Sequence, residues 1–326
     1  MICKALLFSI IYLILELIYF RIAHRYKIID KPNDRSSHNY LTVRGGGIIF
    51  PIAALIVLPG IAFPDIFLFS LGLLLIAIVS LADDIHSLNS NLRLIVQIIA
   101  VTMAIFPFKA NLHWSMMILI FFLFTGVINA YNFMDGINGI TALYSIVVLS
   151  SLFWVNNNIV QLMPEVFFVS VLSALLVFSF FNVRYKAKCF AGDVGSVSIA
   201  FIICFLLVSL FSKTQNFVWL LFLSVYGIDT VFTICCRLIR KEPIFKAHRS
   251  HFYQYLVNEA GYNHVTVSSL YAGVQLLFNI FIIFSYKIND LLPVFVSLFV
   301  ILIIYTIFRF CLEGKHRLFN AYFKVD

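Results

Sequence analysis

Residues 129–138 read NAYNFMDGIN and follow the apolar run WSMMILIFFLFTGVI. Asn129, Asn132 and the Asp135-Gly136 pair recur every three to four residues, so their side chains line one stripe of a helix end. Amide and carboxylate oxygens in such a stripe can ligate a divalent ion or bond a sugar or phosphate oxygen. Asp135-Gly136 and Asn138-Gly139 are also turn pairs, which accounts for them but not for Asn129 and Asn132. Asp83 and Asp84 close another apolar run, LFSLGLLLIAIVSLADD. Two adjacent carboxylates at the negative end of a helix dipole demand a nearby cation: Mg²⁺, a Lys or Arg, or both. Arg93 and Gln97, four apart on the next helix, share a face suited to those acids or to a phosphate.

Asp193 stands in AGDVGS, at the start of a further apolar run. Asp is a good N-cap, and a helix start is a ready anion site; the second carboxylate oxygen can still ligate Mg²⁺. Arg44 precedes Gly45-Gly46-Gly47, which can either cradle a phosphate on backbone N–H groups or allow tight helix packing. His248, Arg249 and His251 form HRSH. The spacing is compatible with Zn²⁺, but no second Cys or His pair and no zincin Glu accompanies it. These side chains are better read as cationic hydrogen-bond donors to an anionic substrate. Asp229 lies within an apolar run, where acids are functional or paired; Arg237, two helical turns on, is its expected structural partner.

The elements that must position these groups follow from composition. The 326-residue chain is 62% hydrophobic and 12% charged, with a mean hydropathy of +1.00. Apolar runs of about 18–20 residues are what a bilayer core requires. They fall near 2–20, 46–63, 65–82, 92–108, 114–131, 138–155, 163–181, 194–211, 216–236, 266–286 and 290–310. We expect an all-α, polytopic integral membrane protein of 10–11 transmembrane helices, forming one catalytic unit over residues 1–326. The first run has a single early Lys and no small-residue cleavage site, so it reads as a retained span. Six cysteines without paired spacing argue against a disulfide framework.

Nineteen Lys and Arg fall on one side of this arrangement and four on the other. The positive-inside rule makes the first side cytoplasmic, with the N-terminus periplasmic and the C-terminus cytoplasmic. Most of the net charge of +8 is thereby a matter of topology, and no nucleic-acid partner is implied. The segments 21–45, 83–93, 129–138, 182–196 and 237–265 all fall on that cytoplasmic face and carry the candidate residues. Five separated polar segments on one face point to one composite site.

RSSH…RGGG, LADD, NFMDGINGI, AGDVGS and HRSHFYQ, in this order, resemble the polyprenyl-phosphate N-acetylhexosamine-1-phosphate transferases, a glycosyltransferase 4 family. That family includes the O-antigen-initiating branch and the phospho-MurNAc-pentapeptide translocase. The resemblance runs from about residue 30 to 256. It implies transfer of a sugar-1-phosphate from a UDP-N-acetyl sugar to undecaprenyl phosphate at the bacterial inner membrane. UMP is released, and Mg²⁺, with Mn²⁺ as a substitute, is required. It also implies that Asn132 and Asp193 contact the metal and that Asp83 and Asp84 lie near the lipid phosphate. Asp135 falls in the nucleotide–metal site, Phe190 stacks on uracil, and His248, Arg249 and His251 form a sugar-side loop. Arg44, Arg93, Asn129, Asn138 and Asn182 complete the expected substrate contacts, and a homodimer is among the assemblies open to it. Three departures stand out. Asn138 replaces a family Asp, Leu41 and Val43 replace prolines, and the loop from Asn182 to Asp193 lacks a Pro and is one residue longer.

Charge constrains the reaction. Two phosphate charges ~5 Å apart repel by ~3 kcal/mol at an effective dielectric of 20, so the site must be cationic where they meet. A lipid phosphate with a second pKa of about 6 is mostly a dianion at pH 7, so a general base has little to remove. Asp83 and Asp84 then serve to position the phosphate through a cation in a single in-line attack; the competing scheme makes an Asp the nucleophile, with a covalent sugar-phosphate intermediate. A transporter of an anionic substrate is the competing class, but transporters show internal repeats and midplane polar residues. Neither feature is visible here.

Overall fold

Helices apolar on every face are stable only in a protein core or in lipid, and this chain uses both environments. The computed structural model describes residues 2–32, 37, 40–61, 66–243 and 248–320. Among these, the helices α1 (Ile2–Tyr26), α3 (Ile66–Ile85), α4 (Ser90–Ile105), α5 (Trp114–Met134) and α6 (Ile140–Asn158) are long and apolar enough to cross a membrane. So are α7 (Glu165–Asn182), α8 (Gly192–Thr214), α9 (Ser224–Ile239), α11 (His264–Lys287) and α12 (Leu292–Phe319). Short 3-10 segments extend α4 to Ala110 and begin the α9 span at Phe217. The chain is an all-α, multi-pass membrane protein.

Each expected span has a helix, with one correction. The run at 46–63 forms only a short apolar helix, Gly46–Gly60, in which α2 (Ile49–Val57) is flanked by 3-10 turns. Pro59, in the closing turn, has no N–H to continue the ladder. Residues 62–63 lie outside the described residues, as do Arg35, Ser36 and His38 of the RSSH stretch and residues 244–247. All six cysteines are free, as expected.

The hydrophobic window of α8 is 94% buried and that of α12 only 11%, so α8 is the axis of the bundle and α12 its rim. Phe69 of α3 stacks on Phe205 of α8 with ring centroids 4.0 Å apart. At the opposite end of α8, Gly47 and Gly195 let two backbones touch, for a Cβ on Gly195 would lie 2.7 Å from the Cα of Gly47. Membrane helices lack a hydrophobic drive toward each other, so such small-residue contacts set their approach.

A two-residue hairpin, β1 (Ile29–Asp30) with β2 (Thr42–Val43), lies beside this junction. Phe190 N–H donates to the Val43 carbonyl at 2.8 Å, Gly46 N–H to Phe190 at 2.9 Å and Gly47 N–H to Ala191 at 3.1 Å. The glycine triplet therefore serves close packing. Two of its N–H groups are spent joining the 42–47 loop to the 189–191 loop, which leaves no phosphate cradle there. Gly195→Val should overpack this crossing by about 1–3 kcal/mol. A thermal-unfolding assay in detergent should show a lower Tm than for Gly273→Val, where an added Cβ meets nothing within 4 Å.

Candidate active site

Asp83 and Asp84, in the last turn of α3, are both buried. Asp84 Oδ1 accepts from Arg44 Nε at 2.7 Å and from the Asp193 N–H at 2.9 Å, and its Oδ2 from the Val194 N–H at 3.0 Å. The anion expected at the start of α8 is thus a carboxylate from α3. Asp83 accepts from Arg93 Nη1 at 2.7 Å and from the Leu88 N–H at 2.6 Å. Asp193 shares both cations more loosely, with Arg44 Nη2 and Arg93 Nη1 each at 3.3 Å. Burial disfavours the Arg44 cation, but Asp84 and Asp193 outweigh it and raise its pKa above the usual value. Three carboxyl groups thus share two guanidinium groups, and Asp193 is the one held least closely. The loosely held Asp193 is where a further cation gains most.

Asn132 reaches the same place from α5, its Oδ1 accepting from Ser196 Oγ of α8 at 2.7 Å. Asp135, just past α5, accepts from Thr141 Oγ1 at 2.6 Å. Desolvation pushes its pKa up to about 6, against the opposing Thr141 hydrogen bond; a nearby cation would draw it down again. Asn182, at the end of α7, accepts from the Gly139 N–H and donates to the Cys189 carbonyl, each at 2.8 Å, splicing two polar loops together. A cavity of about 270 Å³ opens between these groups, lined by Arg44, Asn132, Asp135, Asn138, Phe190 and Asp193 among others. Asn182 also borders it.

Asp83 and Arg93 stand behind Asp193 rather than in the cavity wall. Asn129 does not reach the wall either, since its Nδ2 donates to the Thr125 carbonyl one turn back. Gln97 of α4 donates to the same carbonyl and so ties α4 to α5. Asp30, Gln254 and His264 do line the cavity, and they were missed by sequence reasoning. Only Gln254 lay within a quoted motif; Asp30 and His264 are carried there by the hairpin and by the start of α11, with no local signal.

His248, Arg249 and His251 precede α10 (Phe252–Asn258). The His248 ring lies 5.0 Å from that of His251 and 6.0 Å from Phe133. Burial, then the neighbouring His251 and the cations Arg237 and Arg240, push the His248 pKa down to about 3. His248 is therefore neutral at pH 7, which corrects its expected role as a cation. Tyr253, on α10, donates to the Phe133 carbonyl at 2.9 Å, bringing this loop against the Asn132–Asn138 turn. Asp229 is paired, but not with Arg237, whose guanidinium turns to Glu242 at 3.1 Å. Its partners, His251 at 3.1 Å and Arg309 at 3.9 Å, come from distant parts of the chain.

Magnesium is bound by one or two carboxylates together with substrate phosphates rather than by an all-protein cage. Among the described residues no three His, Cys, Asp or Glu form such a cage. The hard oxygens of Asn132 and Asp193, both facing the cavity, fit that pattern.

A family model described as "Glycosyl transferase family 4" matches residues 66–211. The match covers a little under half of the chain. It is 25% identical to a Bacillus subtilis protein named "Probable undecaprenyl-phosphate N-acetylglucosaminyl 1-phosphate transferase", covering 96% of this chain and 91% of that one. A Salmonella typhi "Undecaprenyl-phosphate alpha-N-acetylglucosaminyl 1-phosphate transferase" is 25% identical over 90% of this chain and 86% of its own. A Clostridium perfringens "Phospho-N-acetylmuramoyl-pentapeptide-transferase" is 25% identical over 49% of each.

The amide at position 138, where the resemblance expects an acid, has a local explanation. Asn138 Nδ2 donates to the carbonyls of Arg184 at 2.9 Å and Tyr185 at 3.2 Å, in the lengthened loop. Only a donor suits two carbonyls, so the amide and the loop match each other. Asn138→Asp, although it restores the family residue, should place a carboxylate against both carbonyls. We expect a loss of about 1–3 kcal/mol, measured as a lower Tm, with no gain in activity.

Proposed function

We propose that the chain transfers an N-acetylhexosamine-1-phosphate from a UDP-sugar to undecaprenyl phosphate, releasing UMP. The observation that carries this reading is the convergence of Asn132, Asp135 and Asp193 on one cavity with Arg44 and Phe190, beside the Asp83–Arg93 pair. The names of the near-full-length relatives support the same reaction. The reaction takes place at the cytoplasmic face of the bacterial inner membrane, in keeping with the basic bias of that side. The donor sugar is GlcNAc or a 6-deoxy N-acetyl sugar.

An oxygen of the lipid phosphate attacks the β-phosphorus of the UDP-sugar. The bond from that phosphorus to the bridging oxygen breaks, and UMP leaves with the electron pair. Both reactants are anions, so Arg44 and Arg93 lower the cost of their approach. Asn132 and Asp193 would hold Mg²⁺, which when bound neutralises phosphate charge. Asp84 is engaged by two backbone N–H groups and a guanidinium, and Asp83 by a guanidinium and one N–H. Both are thereby cast as positioning groups for Arg44 and Arg93, with no proton to take from a lipid dianion. Phe190 offers an aromatic face for the uracil.

Membranes carrying the protein, incubated with radiolabelled UDP-GlcNAc or its 6-deoxy analogues and Mg²⁺, should yield chloroform-extractable label. Label trapped in sealed vesicles instead would mean transport. Asp193→Asn should cut transfer by about 100-fold or more, the effect of losing several kcal/mol of charge stabilisation. Chelation should abolish transfer, and added Mg²⁺ should restore it.

A further inference from the structure

Asp229 lies inside α9 with no exposed surface and borders no part of the cavity. Its Oδ1 stands 3.1 Å from His251 Nδ1 and accepts from the Phe252 N–H at 3.1 Å. Its Oδ2 accepts from the Tyr271 hydroxyl of α11 at 2.6 Å and from the Tyr253 N–H at 3.4 Å. A carboxylate can only accept in such surroundings, so the proton shared with His251 belongs on Nδ1. The tautomer is thereby chosen, and Nε2 becomes the working nitrogen.

Among the described residues that nitrogen has no hydrogen-bond partner, although His251 is only 1% exposed. Burying an unpaired polar atom costs about 1–3 kcal/mol, a cost that a bound ligand can remove. The ring stacks 5.7 Å from Tyr253. The Tyr253 hydroxyl closes over Gly136 in the cavity wall, where a Cβ on Gly136 would clash with it. From the other side Arg309 of α12 donates to the Ser250 carbonyl at 2.7 Å and to Thr233 Oγ1 at 2.8 Å. α12 buries three residues, Val294, Arg309 and Leu318, and Arg309, paired with Glu313 on its own helix, also holds the peptide next to His251.

We propose that Asp229 is a positioning residue for the transfer reaction, fixing the His251 ring so that Nε2 meets an oxygen of the bound sugar-phosphate donor. The inference rests on the reading of the chain as a sugar-1-phosphate transferase. The titratable and charged groups around His251 are Asp229 and Arg237 of α9, His248, Tyr253 of α10, Tyr271 of α11 and Arg309 of α12. Asp229 is the acid among them that touches the ring.

Asp229→Asn keeps the volume and one acceptor but removes the charge that selects the tautomer. In the lipid-transfer assay it should lower kcat about tenfold or more with the KM for the UDP-sugar unchanged. The double variant should be no slower than His251→Asn alone. Losses that multiply, or a variant that only melts earlier while kcat stays at its wild-type value, would overturn the proposal. A second readout needs no turnover: ¹⁵N spectra of histidine-labelled protein above pH 8. The signal absent from His251→Asn should report a protonated Nδ1 in the wild type and lose that preference in Asp229→Asn. An unchanged tautomer would refute the coupling even if the protein transferred no sugar, whereas failure of the lipid assay alone would count against the reaction.

Discussion

One carboxylate holds the site together. Asp84 ends α3 and at the same time satisfies the first free N–H groups of α8, while its remaining capacity binds Arg44. A helix terminus left without partners in a membrane protein is costly, and here the partner comes from another helix. The junction sets where Asp193 begins α8, and hence where its carboxylate faces Asn132. Around it the glycine crossing of Gly47 and Gly195 and the backbone ladder from Val43 to Ala191 bring the loops close enough for the bonds to form.

Electrostatics then divides the labour. Asp83 and Asp84 are fully engaged by guanidinium and N–H groups, whereas Asp193 is held only at 3.3 Å by each arginine. A phosphate-transfer site needs positive charge that can shift as substrates arrive, and half-exposed Arg44 and Arg93 provide it. The histidine loop contributes differently. His248 is neutral by burial, so it adds no positive charge to HRSH.

Much of this was legible in the sequence because it depends on local chemistry. Acids and amides at the ends of apolar runs announced Asp83, Asp84, Asn132 and Asp193, and loop parity placed them on one face. What could not be read depends on which helices are neighbours. Periodicity along α9 offered Arg237 as the partner of Asp229, but the real partners come from the loop before α10 and from α12. The same blindness hid Asp30 and His264, and it promoted Asn129 and Gln97, whose amides answer a carbonyl at Thr125. The glycine triplet was ambiguous for the same reason. Packing against Gly195 decides it, and nothing in residues 45–47 alone reveals that contact.

The central claim is that the charge of Asp84 supplies the missing partner for the start of α8. Hydrogen exchange at the Asp193 and Val194 amides in Asp84→Asn, compared with wild type in the same detergent, tests it most directly. The account predicts that these two amides, slow in the wild type, exchange much faster once the carboxylate is an amide. Amides that stay equally protected would mean that something other than Asp84 caps the helix, and the account would be wrong at its root.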